Sequence, residues 1–292
     1  MPRHSALAAA TEPVTAVGRR TVAFLGAGHV AAHLAPALAA AGHRVAGVWS
    51  RTPAHAAALA HRLPSARVLV SPAEAAALAP DLVLVCVPDH AVAAVIAAAA
   101  LPPTTPVAHT AGALPLPAHP HAGVFYPLQT FSAGRPLDLR AVPFFLEATD
   151  TATAAVLAAL AHDLSAQPAR WLTTAERAPL HLAAVFAANF PNHLLGISRQ
   201  VLAQAGLPLD VLCPLVDEVV AKAFAAGGGP FSVQTGPARR ADAPTLAAHR
   251  ARLRADPALT PWLPVYDVLT AAIQHTGATP PTPGAAPHDE AP

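Results

Sequence analysis

The sequence predicts an α/β protein, a doubly wound parallel sheet in its first half followed by an all-α region. Three observations predict it. Short strand-like runs alternate with alanine-rich helical runs up to about residue 148. One of those strands leads straight into a Gly-x-Gly-x-x-Ala turn at Gly26–Ala31. Beyond about Asp150 the strand-like runs nearly vanish and long helical stretches replace them.

The elements follow in order. Thr21–Leu25, Arg44–Trp49, Arg67–Val70, Asp81–Val87, Pro106–Thr110 and Pro143–Ala148 read as strands. Several are apolar without alternation, the pattern of parallel strands covered on both faces. Ser71-Pro72-Ala73-Glu74 carries helix-start chemistry, and Asp89 is placed to cap a helix over His90–Ala100. Pro36, inside the first helix, predicts a kink or a short first segment. Helices are expected at Thr151–Leu164, Ala175–Ala205, Leu209–Ala226, Pro244–Ala255 and Pro261–His275. Two domains result, residues 21–148 and 149–275, flanked by flexible tails at 1–20 and 276–292.

Composition narrows the function. Eighteen Lys and Arg against seventeen Asp and Glu leave a net charge of +1, so no broad field points to nucleic acid or an anionic membrane. A mean hydropathy of +0.41 comes largely from alanine. The most apolar stretch, Leu82–Leu101, is broken by Pro88, Asp89 and His90, which argues against a membrane span. Cys86 and Cys213 form neither a disulfide framework nor a zinc pattern, and sixteen histidines are dispersed, so no metal is expected. Residues 1–20 lack the apolar core of a secretory signal, and a cytoplasmic location is expected.

The glycine turn points to a dinucleotide. Gly26 permits the tight turn, Gly28 lets backbone approach a pyrophosphate, and Ala31 allows close helix–strand packing. Gly28, His29 and Val30 open the helix whose free N–H groups and dipole favour phosphate. An NAD site carries an acid near the end of the second strand, yet no acid lies between Gly26 and Ala73. That strand ends in Ser50, Arg51 and Thr52, whose hydroxyls and guanidinium suit a 2′-phosphate. NADP(H) is therefore favoured over NAD(H), the alternative being that Arg51 is only a solvated loop residue. Val87, Pro88 and Thr110, at the ends of the fourth and fifth strands, are candidate contacts for the nicotinamide half. His109 is either an acid or, as single strand-end histidines more often are, structural.

These residues carry a resemblance. Gly26-Ala-Gly-His-Val-Ala31 with Ser50-Arg-Thr52 resembles pyrroline-5-carboxylate reductase and the deazaflavin-dependent NADP reductases. His109-Thr-Ala-Gly112, Phe125–Ser132, His181–Phe190 and Gln234–Asp242 resemble a bacterial family. That family joins a Rossmann-like domain to a helical, 6-phosphogluconate-dehydrogenase-like domain of unknown function. The resemblance spans residues 21–275 and implies the fold, an NADP(H) site and pairing through the helical domains as a homodimer. In similar hydroxyacid dehydrogenases a helix presents a lysine and, four residues on, an asparagine. Here Asn189 matches the asparagine, while Val185 stands at the lysine position.

The helical half supplies the catalytic candidates His181, Asn189 and Lys222. A regular helix puts His181, Asn189, Asn192 and His193 on one arc of about 120°, a cleft-lining stripe or a solvent face, until Pro191 bends it. Lys222 is either the surface ion-pair partner of Glu218 or an active-site ammonium. Gln234–Pro237 with Arg239, Arg240 and Asp242 either binds a substrate anion or holds its own loop. Tyr126, with Gln129, follows the sheet's active edge and either donates a proton or packs. The expected activity is NADP(H)-dependent reduction of a carbonyl or imine of a small anionic metabolite. The alternatives are an NADP(H)-binding sensor without turnover, marked by Phe186 and Phe190 plugging the cleft, and a deazaflavin hydride partner.

Overall fold

The computed structural model describes residues 18–278 of the 292-residue chain. The predicted tails lie outside the described residues except for 18–20 and 276–278, the latter closing the last helix. The described residues divide into two compact units with the boundary between Ala188 and Asn189. The boundary expected near residue 148 falls inside the first unit, between a strand and a helix.

The first unit is built on one eight-stranded sheet. Its strands are β1 (Thr21–Leu25), β2 (Arg44–Trp49), β3 (Arg67–Leu69), β4 (Leu82–Val85), β5 (Val107–His109), β6 (Ala122–Pro127), β7 (Phe144–Ala148) and β8 (Arg170–Trp171). Their order is 3-2-1-4-5-6-7-8. Strands β1 to β6 are parallel, β7 is antiparallel to β6, and β8 is parallel to β7. The reversal of order on the two sides of β1 is the switch point, where the carboxyl ends of β1 and β4 leave a crevice for a ligand.

Helices α1 (His29–Ala40), α2 (Pro53–Ala60), α3 (Val92–Ala99), α4 (Thr151–Leu164) and α5 (Thr174–Ala184) complete this unit. Alternate strand residues serve opposite faces. Val22, Phe24, Leu82 and Leu84 pack with Leu34 and Leu38 of α1 and with Leu157 and Leu160 of α4. Ala23, Leu25, Val83 and Val85 pack on the other face with Val92, Val95 and Ala99 of α3. Covering both faces is why these strands read as continuous apolar runs. Pro36 sits within α1 without ending it.

Several expectations are corrected. Strand β6 is absent from the predicted strands although all six of its residues are buried. Gly123 inside it and Pro127 at its end look like turn chemistry. Strand β8, of two residues, is likewise absent from them. Pro72–Leu78 forms a 3₁₀ helix without a Ser71 side-chain cap, and the Glu74 carboxylate accepts from Val70 N instead, at 3.1 Å. Asp89 opens a 3₁₀ turn, Asp89–Ala91, ahead of α3 and makes no side-chain cap.

The expected long helix over Ala175–Ala205 is three pieces. It consists of α5, a π turn at Val185–Asn189, and α6 (Phe190–Ala203). Pro191 explains the break, since its ring collides with the carbonyl four residues back and it offers no N–H. A π turn widens the helix where the regular bond is lost.

The second unit continues with α7 (Cys213–Ala225), α8 (Ala243–Ala255) and α9 (Leu263–Ala278). Asp242 caps α8, accepting from Thr245 N at 3.2 Å and Thr245 Oγ1 at 2.8 Å. Neither α6 nor α7 contains a buried residue. Among the described residues no helix is long and apolar enough to cross a membrane.

Candidate functional site

The glycine turn is held by the strands around it. Gly26 N donates to Trp49 O at 2.8 Å, and Cys86 N donates to Leu25 O at 2.7 Å, so the ends of β1, β2 and β4 meet at one point. Gly26 has φ +117°, and a Cβ there would run into the Cys86 carbonyl. Only glycine fits. Gly28 is exposed, and a Cβ there would come no nearer to another group than 3.9 Å, from the Cys86 carbonyl oxygen. It is the uncapped N-cap of α1, with no acid in the first turn. The first N–H groups of α1 at His29 and Val30 therefore open on an uncluttered surface, the cradle a pyrophosphate needs.

At the end of β2, Ser50 is half-buried while Arg51 and Thr52 are exposed. Thr52 N donates to Ser50 Oγ at 3.3 Å, folding the three residues into a tight cluster, and α2 takes no side-chain cap from Thr52. The nearest following acid, Glu74, is engaged with Val70 N. A phosphate arriving here meets two hydroxyls and a guanidinium with no competing carboxylate in that stretch of chain.

The ends of β4 and β5 form the other side of the crevice. Val87 is half-buried and Pro88 exposed. Thr110 N donates to Val85 O at 3.3 Å, and the Thr110 side chain hydrogen-bonds the Cys86 thiol. Burial pushes that thiol up to about 12, only partly offset by Thr110, so Cys86 is an inert packing group. His109 is structural. Ala111 N donates to its Nδ1 at 3.2 Å, which leaves the proton on Nε2, donating to Pro115 O at 2.9 Å. Burial, the largest effect, holds it below the ordinary histidine range, so the imidazole stays neutral and pins the loop after β5.

That loop is clamped a second time by a residue that no sequence motif marks. Arg177 of α5 is fully buried and pairs with Glu147 of β7 through Nε at 3.2 Å and Nη2 at 2.5 Å. Nη1 donates to the carbonyls of Ala111 and Gly112 at 3.4 and 3.0 Å, and the second Nη2–H is shared between Leu114 O at 3.0 Å and Thr174 Oγ1 at 3.1 Å. One turn further along α5, His181 Nδ1 lies 3.2 Å from Tyr126 Oη. The two rings meet edge to face at 6.1 Å. Gln129, by contrast, is exposed and accepts only from Thr130.

The other candidates sit in the second unit. Asn189 is exposed at the end of the π turn, and the turn breaks the constant 100° step behind the four-residue polar arc. His193 packs edge to face on Trp262, with ring centroids 5.4 Å apart. Lys222 is half-buried on α7, and the expected salt bridge to Glu218 does not form among the described residues. Arg239 and Arg240 are exposed, while Asp242 serves as the α8 cap. Phe186 and Phe190 are exposed by 63% and 47%, so neither fills the interior of its unit. Among the described residues no group of three or more His, Cys, Asp or Glu side chains is placed to hold a metal ion.

Residues 21–108 match the family model described as NADP oxidoreductase coenzyme F420-dependent. Residues 142–273 match a domain of unknown function, DUF2520. A crystal structure from Bacteroides fragilis, described as a "putative NADP oxidoreductase", is 35% identical. It aligns with 88% of this chain and 98% of its own at a TM-score of 0.79. A Thermotoga maritima protein, 20% identical over 88% of this chain and 98% of its own, has a TM-score of 0.59. A reductive aminase from Aspergillus terreus, solved with NADPH and ethyl levulinate, is 17% identical over 88% of this chain and 95% of its own, with a TM-score of 0.63. The last two share the fold. No curated protein matches the chain.

Proposed function

Because the chain belongs to the family that joins an NADP-oxidoreductase Rossmann domain to the DUF2520 domain, we propose that it is an NADP(H)-dependent reductase. Its substrate is a carbonyl or imine of a small anionic metabolite. The observation that carries this reading is the cluster at the end of β2. Ser50, Arg51 and Thr52 stand beside the Gly26 turn where an NAD site would present an acid. Gly26, Gly28, His29 and Val30 would hold the pyrophosphate, and Val87, Pro88 and Thr110 would line the nicotinamide end. Bound NADPH would supply a hydride to the substrate carbon.

The exposed Arg239 and Arg240 support an anionic substrate, since guanidinium forks suit carboxylate and phosphate. Asn189 and Lys222 of the second unit remain candidates for orienting it. The reductive aminase solved with NADPH shows that this fold accommodates carbonyl and amine chemistry in that protein. A second copy of the chain is the expected partner. Leu215, Val219, Val220 and Phe224 of α7 are 48–90% exposed, an apolar face that a monomer would leave in water.

The test is a fluorescence titration with NADPH and NADH, on wild type and Arg51→Ala. Wild type should prefer NADPH. Arg51→Ala should weaken NADPH by about 10–100-fold, the worth of one or two hydrogen bonds to a charged group at about 1.5–3 kcal/mol, and leave NADH unchanged. Binding of neither nucleotide would reduce the glycine turn to architecture and remove the reductase reading. Adding a deazaflavin acceptor to the same assay tests for that hydride partner.

A further inference from the structure

We infer that Tyr126 is the acid that protonates the substrate, and that His181 resupplies its proton. The inference rests on the reductase reading above and deepens it. Tyr126 is the last residue but one of β6, and β6 runs parallel to β5, so the phenol lies at the same sheet edge as Val87 and Thr110. Its hydroxyl is 3.2 Å from His181 Nδ1. Tyr126 is only 8% exposed, while His181 is half-buried and remains open to proton exchange.

The pair exists because residue 112 has no side chain. A Cβ on Gly112 would lie 2.5 Å from His181 Nδ1 and 2.8 Å from Tyr126 Cζ. Arg177 stands four residues before His181 and holds the Gly112 loop by three carbonyls, so strand, loop and helix are locked around the two rings. Such fixed placement is what positions a catalytic group without a reorganisation cost. The phenol is a donor and not a phenolate. Burial, the largest effect, raises it above the ordinary tyrosine value, Asp89 adds to the rise, and Arg177 opposes it.

The substrate C=O or C=N gains a hydride at carbon and a proton at oxygen or nitrogen. The Tyr126 O–H bond breaks as the new O–H or N–H bond forms. Nδ1–H of His181 then passes its proton to Tyr126 Oη while solvent delivers one to Nε2. His181 acts through Tyr126 and is a positioning and relay residue. The charged groups acting on Tyr126 are Arg177 of α5 and Asp89 after β4, and Arg177 is itself paired with Glu147 of β7.

The experiment measures steady-state reduction of levulinate and of a cyclic imino acid, piperideine carboxylate, by NADPH across pH. Variants are Tyr126→Phe, His181→Gln and Gly112→Ala. In parallel, the His181 ring is titrated by NMR in the NADP⁺ complex of wild type and Tyr126→Phe. Tyr126→Phe should lower kcat by roughly 10²–10³-fold, within the range for a lost general acid, with NADPH affinity kept within about twofold. His181→Gln should lower kcat less and flatten the fall in rate with rising pH. Gly112→Ala, which wedges the rings apart, should reproduce the kcat loss if Tyr126→Phe is poorly folded. Tyr126→Phe should also displace the His181 titration midpoint. Wild-type turnover with Tyr126→Phe within about twofold and an unmoved His181 titration overturns the inference alone. A wild type that binds NADPH but reduces neither probe overturns the reductase reading and this inference together.

Discussion

At the residue scale, Arg177 shows how a single buried charge organises the sheet's active edge. Its guanidinium joins α5 to β7 through Glu147 and to the loop after β5 through three carbonyls. Arg177→Met would strand the Glu147 carboxylate, itself only 15% exposed, and orphan those acceptors. Removing one partner of a buried ion pair costs about 3–5 kcal/mol. Urea unfolding should show that loss, and an effect below about 1 kcal/mol would place the pair's worth at that of a surface bridge. None of this was legible in the sequence. Glu147 and Arg177 are 30 positions apart, and nothing local marks either as buried. Tyr126 and His181 each stand out in the sequence, but their meeting depends on Gly112 and on α5 packing beside the end of β6, which no spacing rule reports.

At the element scale, helix ends decide local order. Asp150 is the N-cap of α4, accepting from Ala152 N and Thr153 N at 3.0 Å each, Thr153 Oγ1 at 2.7 Å and His121 Nδ1 at 3.0 Å. Burial alone would raise its pKa, but the Thr153 and His121 hydrogen bonds outweigh it and hold the carboxyl well below the ordinary range. A lowered folded value means the carboxylate stabilises the fold fully above about pH 4, the unfolded value. That contribution drains away as pH falls through the folded value. Asp150→Ala should cost about 1 kcal/mol at neutral pH, and its stability should fall less steeply than wild type's on acidification. Equal acid slopes in the two proteins would overturn this account. Strands β1, β2, β4 and β7 were legible because apolar runs bounded by turns are local signals. Strand β6 was not, because Gly123 and Pro127 imitate a loop, and although Pro191 marked a bend in the α5–α6 stretch, the π turn before it leaves no residue pattern of its own.

At the scale of the whole molecule, neither α6 nor α7 contains a fully buried residue, and Phe224 is 90% exposed. Soluble monomers rarely leave so continuous an apolar face in water. Sedimentation should find wild type at twice the chain mass of 29.6 kDa. Phe224→Lys with Leu215→Lys should return it to the single-chain mass. A wild type that sediments as one chain would refute the proposed pairing.

The sequence by itself determined the sheet's parallel core, the helical second half, the Gly26 turn and the acid-free end of β2. Each rests on neighbours within a few residues, where backbone sterics and hydrophobic periodicity act. The tertiary structure alone decided that His109 is a neutral brace and that Glu218 leaves Lys222 unbridged. It alone decided that Arg177 is buried and that Tyr126 faces His181. These are properties of burial and partnership, set by groups distant in sequence, so no local pattern could carry them.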